Sequence, residues 1–377
     1  MKKVFSVLLA FLLLTALLAG CASNAQPTTN PPPPATEVQG SPNTEAPTTQ
    51  APEKTNFKKL TVGTMPLTVG VPVQYAFDNG FYAAEGLDVE IIIFPTGAPI
   101  NEAYSAGQLD IAVSGLASVY SLANGNAKWV GEINSTGGMG IFVRPDSPIL
   151  GVKGQVANQP EIYGNADLVR GLKILGPLGT TAQFNAIGYA NCFGLSSADI
   201  EQVHMEYGPA YQAFQSGEGD AFAANPPFSF QAADAGYVCA ASFEDSTGVS
   251  LMDGIFCTLK MFDDRHEELV RFIRATYKAC EELQNYDTRF TYSKEWFNAN
   301  GKEYDDKTLA SEIEVRDYID KAYMSQSGYV YGKGMTEIAS FFVQDGKIEP
   351  ANFPNVQASY DKSVIKEALG IDFNVDQ

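Results

Sequence analysis

From residue 57 onward the chain alternates short apolar strands with amphipathic helices in one repeating order, and this alternation restricts the fold more than any other feature. Residues 60–63 read as a strand closed by Thr64, Met65 and Pro66, and a helix follows over 71–85, with Gly86 as its cap. Residues 87–94 form an isoleucine-rich second strand, as a strand buried on both faces requires. The residues from Thr96 to Pro99 open a helix that ends at Gly107. Strands at 110–113 and 128–133 bracket a helix at 116–123. Such a βαβαβαβ order implies a parallel sheet with helices on both faces. The pattern restarts after an irregular stretch that follows a strand at 140–144. Strands at 172–175, 202–205 and 221–223 alternate with helices at 182–193 and 210–216, and the block ends at Asn225, Pro226 and Pro227. Further strands surround Cys239 and Cys257. Helices at 267–284 and 308–323 are expected to pack back on the first block. The second block then reads as inserted into the first, with crossings near 140–144 and 225–232.

The N-terminal end has a different composition. Lys2 and Lys3 precede an uncharged apolar run over 4–19, too short for a comfortable membrane span and of the length of a signal-peptide core. The run closes on Leu18, Ala19, Gly20 and Cys21, which resembles a bacterial lipobox and implies that Cys21 is the lipidated first residue of the mature chain. Residues 22–56 carry eight prolines and almost no large apolar side chain, so they cannot bury enough surface to offset chain entropy and read as an extended tether. The expected organisation is a signal peptide at 1–20, a Pro/Thr-rich tether at 21–56, a discontinuous first lobe at 57–140 and 233–377, and a second lobe at 141–232. The net charge of −19 becomes −21 once Lys2 and Lys3 are removed, which disfavours nucleic acid and anionic lipid surfaces as partners. Four cysteines remain after Cys21, with no CxxC pair and two histidines, His204 and His266, so neither a structural zinc site nor any other metal is expected. Cys239 and Cys257 could join as a disulfide in an exported chain; free buried thiols are the other reading.

Five segments carry a resemblance. Residues 78–90 read DNGFYAAEGLDVE, residues 106–112 read AGQLDIA, and residues 170–174 read RGLKI, followed by GTT at 179–181. Residues 214–221 read FQSGEGDA, and 339–369 form a similar tail. In this order they resemble the nitrate/sulfonate/taurine and thiamine-precursor type of ABC-importer solute-binding proteins. The resemblance implies an α/β, type II periplasmic-binding-protein fold, with two lobes, a two-strand hinge and a cleft. It also implies an extracytoplasmic, lipid-anchored monomer that hands a small molecule to a permease and ATPase and is not an enzyme. Two departures bear on the ligand: Asn225-Pro226-Pro227 stands at the hinge proline, and the stretch 151–169 is long.

Ligands of doubly wound sheets bind beyond the carboxyl ends of the strands. Those ends place Met65, Gly97, Ser114, Thr136, Thr180, Thr181, Tyr207 and Asn225 as candidate ligand-binding residues. Thr180 and Thr181 open a helix whose free amides and dipole suit an anion, and Ser114 is expected to offer the same on the opposite lobe. No basic side chain is placed among these positions; Arg144 and Arg170 read as structural. Because a dianion usually recruits an arginine fork, the expected ligand is a small organic monoanion or zwitterion, with Phe228 or Tyr75 adding aromatic contact. No GxSxG, Walker loop or complete GxGxxG is present, so no cofactor is expected. The alternatives are a ligand-sensing lipoprotein and a pyrimidine-synthesising enzyme on the same fold.

Overall fold

A computed structural model describes residues 57–302 and 304–373. The expected signal peptide, Cys21 and the tether at 21–56 lie outside the described residues. No helix among the described residues is long and apolar enough to cross a membrane.

Among the described residues, ten strands form two five-stranded sheets. They are β1 (Leu60–Thr64), β2 (Val89–Ile93), β3 (Ile111–Ser114), β4 (Ala127–Ser135), β5 (Gly140–Val143), β6 (Lys173–Gly176), β7 (Glu201–His204), β8 (Ala221–Ala224), β9 (Val238–Ser242) and β10 (Met252–Thr258). The first sheet runs β2-β1-β3-β10-β4 and the second β7-β6-β8-β5-β9. β1 pairs in parallel with β2 and β3, and β6 does the same with β7 and β8. One strand in each sheet runs the other way: β10 lies antiparallel between β3 and β4, and β5 lies antiparallel between β8 and β9. Each sheet has its own apolar core, as continuous strand runs of Val, Ile and Phe demand. In the first lobe the helix His266–Glu282 buries Leu269, Phe272, Ile273 and Tyr277, and Phe272 stacks on Tyr82 at 4.9 Å. The two cores meet where Phe184, from the helix Thr181–Asn191, packs edge-on against Phe341.

Four expectations change. The chain crosses between sheets from β4 to β5 and returns from β9 to β10, so the second crossing lies at 243–251 and not at 225–232. The boundary placed at 232 moves with it, because β9 pairs with β5 in the second sheet. The helix expected over 71–85 is two, Val71–Asp78 and Phe81–Ala84; Gly80, at φ 72°, turns the chain between them. The disulfide does not form: Cys239 sits in β9 and Cys257 in β10, on different sheets, and both are free thiols. Finally, the helix expected over 308–323 stops at Val315. Residues 316–319 instead run beside β4: Ser135 donates its amide to Asp317 at 2.9 Å and Ile319 donates to Ile133 at 2.9 Å.

Candidate functional site

A cleft lies between the two sheets, a common location for small-molecule sites. Seven of the eight candidate residues line it: Met65, Gly97, Thr136, Thr180, Thr181, Tyr207 and Asn225. Ser114 does not. It ends β3, is fully buried, and its hydroxyl has no hydrogen-bond partner among the described residues. The helix expected to start beside it begins only at Ser118 and is six residues long, so the second helix N-terminus foreseen for the ligand is absent.

The second lobe supplies one helix N-terminus and a hydroxyl cluster. Thr180 caps the helix Thr181–Asn191, its hydroxyl accepting from the Ala182 amide at 3.3 Å and donating to the Pro177 carbonyl at 2.7 Å. Capping therefore occupies Thr180, whereas Thr181 shares a 3.0 Å hydrogen bond with the Tyr207 hydroxyl. Burial pushes the Tyr207 phenol up, against the pull of the Thr180 and Thr181 hydroxyls, so it stays protonated. Thr136 ties the two crossings together: its amide and its hydroxyl both donate to Leu251, at 3.1 and 3.0 Å.

The expectation that no basic side chain enters the site is overturned by Arg316, which lines the cavity at 2% exposure. The extended segment after Val315 aims it there. Its main-chain carbonyl accepts from Arg289 Nη2 at 2.6 Å. Its Nε donates to the Gly137 carbonyl at 3.1 Å, and its Nη2 donates across the cleft to Asn225 Oδ1 at 2.5 Å. Its Nη1 lies 3.6 Å from Glu312 Oε1, and the same carboxylate accepts from the Thr68 and Tyr304 hydroxyls.

Asp253, at 7% exposure, is the second charged residue on the cavity wall. Its Oδ2 accepts from Asn134 Nδ2 at 2.9 Å. Burial raises its carboxyl above the ordinary carboxylate range, outweighing the Arg316 guanidinium and the Asn134 amide that pull it down. Gly115 makes room for it: a Cβ there would lie 2.3 Å from Asp253 Oδ1. Leu67, Val69, Leu116 and Met139 complete an apolar wall.

Asp253 and Met139 were missed for one reason. Asp253 is the second residue of β10 and Met139 precedes β5, the antiparallel strands, so the cleft meets their amino ends and a rule based on carboxyl ends passes over them. Phe228 and Tyr75, expected to add aromatic contact, do not line the cavity: Tyr75 donates to Glu282 at 3.0 Å and Phe228 packs beside Tyr211. Arg144 donates to the carbonyls of Phe214, Glu218 and Gly219, and Arg170 pairs with Asp199. Both are structural. The histidines are engaged elsewhere, His204 Nδ1 accepting from the Leu178 amide and His266 pairing with Glu367. No cluster of three His, Cys, Asp or Glu that could hold a metal occurs among the described residues.

Contacts join the lobes around the cavity. Besides the Arg316–Asn225 bond, Thr96 donates to Glu206 at 3.4 Å and Lys307 pairs with Asp234 at 2.5 Å.

Comparison with known proteins fits this geometry. The profile of the NMT1-like family matches residues 51–294. A protein of Brachyspira hyodysenteriae, assigned by its name to the periplasmic binding proteins of ABC transporters, is 32% identical over 313 residues, covering 82% of this chain and 89% of that one. Two solved structures share the fold. The nitrate-binding protein NrtA of Synechocystis PCC 6803 superposes with a TM-score of 0.65 at 14% identity, covering 84% of this chain and 89% of its own. The alkanesulfonate-binding protein SsuA of Xanthomonas axonopodis pv. citri, bound to MOPS, superposes at 0.61 and 14% identity, covering 81% and 98%.

Proposed function

The chain belongs to the NMT1-like family, and from that premise we propose that it is the extracytoplasmic solute-binding protein of an ABC importer. The single observation that carries the reading is the cavity itself. It lies between two lobes joined by two crossings, and polar groups from both sheets line it: Arg316 and Asp253 from one lobe, Thr181, Tyr207 and Asn225 from the other. A ligand that touches both lobes shifts the population from an open to a closed form, which the permease recognises. The Arg316–Asn225 bond and the Thr96–Glu206 contact support this, since each joins one lobe to the other across the cleft. The solute is a small organic anion or zwitterion, held by the polar groups that line the cleft. Lipidation at Cys21 would hold the protein at the outer face of the cell membrane, with residues 22–56 as the tether. In this reading the protein works as a monomer, carries no cofactor and catalyses no reaction.

A thermal-shift screen of the purified protein over sulfonates, nitrate, bicarbonate, aromatic and aliphatic carboxylates, amino acids and pyrimidines tests the reading. At least one solute is expected to raise the melting temperature by several degrees in a concentration-dependent way. No shift across the whole set would overturn it. With the solute found in hand, Thr180→Ala combined with Thr181→Ala is expected to weaken binding at least tenfold. Loss of the cap costs only about 1 kcal/mol of stability, so the variant stays folded and titration calorimetry reads the affinity directly. Unchanged affinity would remove this helix N-terminus from the site.

A further inference from the structure

The cavity wall presents two buried charges of opposite sign, and each retains hydrogen-bonding capacity that no described residue uses. Among the described residues, Asp253 receives one hydrogen bond, on Oδ2 from Asn134, and its Oδ1 receives none. Arg316 has five N–H donors. Its Nε and one Nη2 proton are bonded, and Nη1 stands 3.6 Å from Glu312.

The sum of charge narrows what can enter. The Arg316 cation already has a partner in Glu312, itself 1% exposed. A cationic solute end beside Asp253 favours its ionised form, and with Asp253 ionised the three groups together carry one net negative charge. A plain anion would add a second in a low-dielectric space, and it would leave the Asp253 carboxylate buried and unpaired. A solute with a cationic end and an anionic end adds no net charge and gives each wall group a partner. We propose that the cleft selects a small zwitterion, an ammonium group and an oxyanion on one short chain, with the ammonium on Asp253 and the oxyanion on Arg316 and Thr181. The inference rests on the solute-binding reading and narrows it: simple inorganic anions and unsubstituted carboxylates or sulfonates are poor occupants. Gly115 belongs to the same device, because only a residue without a Cβ lets the carboxylate reach its place beside the Ser114–Gly115 turn.

The test compares matched pairs that differ by the amine: β-alanine with propionate, 4-aminobutyrate with butyrate, 2-aminoethanesulfonate with ethanesulfonate. Each is titrated calorimetrically into the full-length protein at neutral pH. At least one aminated member is expected to bind ten times or more tighter than its partner. In Asp253→Asn, which keeps an acceptor for Asn134, that preference is expected to vanish while the amine-free partner binds as well or better. Three results would overturn the proposal: an amine-free partner binding as tightly as its aminated counterpart, no aminated member binding, or the preference surviving in Asp253→Asn. The wild-type comparison needs no variant and stands if Asp253→Asn fails to fold. Failure of the proposal while another solute in the wider screen binds leaves the solute-binding reading intact; only a screen with no binder at all defeats both.

Discussion

Arg316→Met is expected to destabilise the protein by about 3–5 kcal/mol, and adding Glu312→Gln is expected to restore most of the loss without restoring ligand binding. The reason is the asymmetry of buried ion pairs. Glu312 and Arg316 are 1% and 2% exposed. Removing the guanidinium leaves the Glu312 carboxylate in a protein interior with only the Thr68 and Tyr304 hydroxyls to stabilise its charge. Glutamine accepts and donates in the same place with no charge to neutralise, so the pair of substitutions removes the burden that the single one creates. Binding follows a different logic, because Arg316 lines the cavity and Glu312 does not. A charge-assisted hydrogen bond is worth about 1.5–3 kcal/mol, so both variants are expected to lose roughly tenfold to a hundredfold in affinity for the best solute of the screen. Urea denaturation and calorimetry on the two variants separate these effects. A double variant as unstable as the single one would show that Glu312 is not the source of the instability. Full affinity in the double variant would show that Arg316 does not contact the solute.

The contrast between Arg316 and Thr181 explains how much of the site was legible in the sequence. Thr181 follows a strand and starts a helix, and that local signature fixes its place at the mouth of a doubly wound sheet. Met65, Gly97 and Asn225 follow the same rule and line the same cavity. Arg316 has no such signature. The residues before it continue a helical pattern, and only the pairing of residues 317 and 319 with β4, some 180 positions earlier in the chain, breaks the helix at Val315 and turns the guanidinium into the cleft. Asp253 was hidden for a related reason: strand direction is a property of the folded sheet, and β10 runs antiparallel to its neighbours. The fold was clearer than the site because alternation along the chain already encodes parallel βαβ units. The return crossing was misplaced because β9, a short strand of small residues, carries no local mark of which sheet it joins. The ligand class suffers most from this, since it depends on the two charges that only tertiary pairing brings together.

Glu132 carries the second large effect, on stability against pH. Its side chain, 1% exposed in β4, accepts from the Tyr329 hydroxyl at 2.7 Å and from the Gly332 amide at 3.1 Å, tying the segment around 329–332 to the first sheet. Burial pushes its carboxyl up from the ordinary 4.5 to about 7, although those two donors pull it down. Between these values the folded protein holds the proton and the unfolded chain releases it. The unfolded state therefore binds fewer protons, and stability falls as pH rises. The contribution is fully present below pH 4.5, declines through the window, and levels off above about 7. A displacement of this size corresponds to a loss on the order of 3 kcal/mol. Glu132→Gln does not titrate and still offers an acceptor and a donor at the same place. The stability of wild type relative to Glu132→Gln, read by urea denaturation at intervals from pH 4 to 8, is expected to fall by that amount across the window. A difference that stays constant with pH would show that Glu132 keeps its charge when buried, and that its two hydrogen bonds, not a retained proton, hold this part of the sheet together.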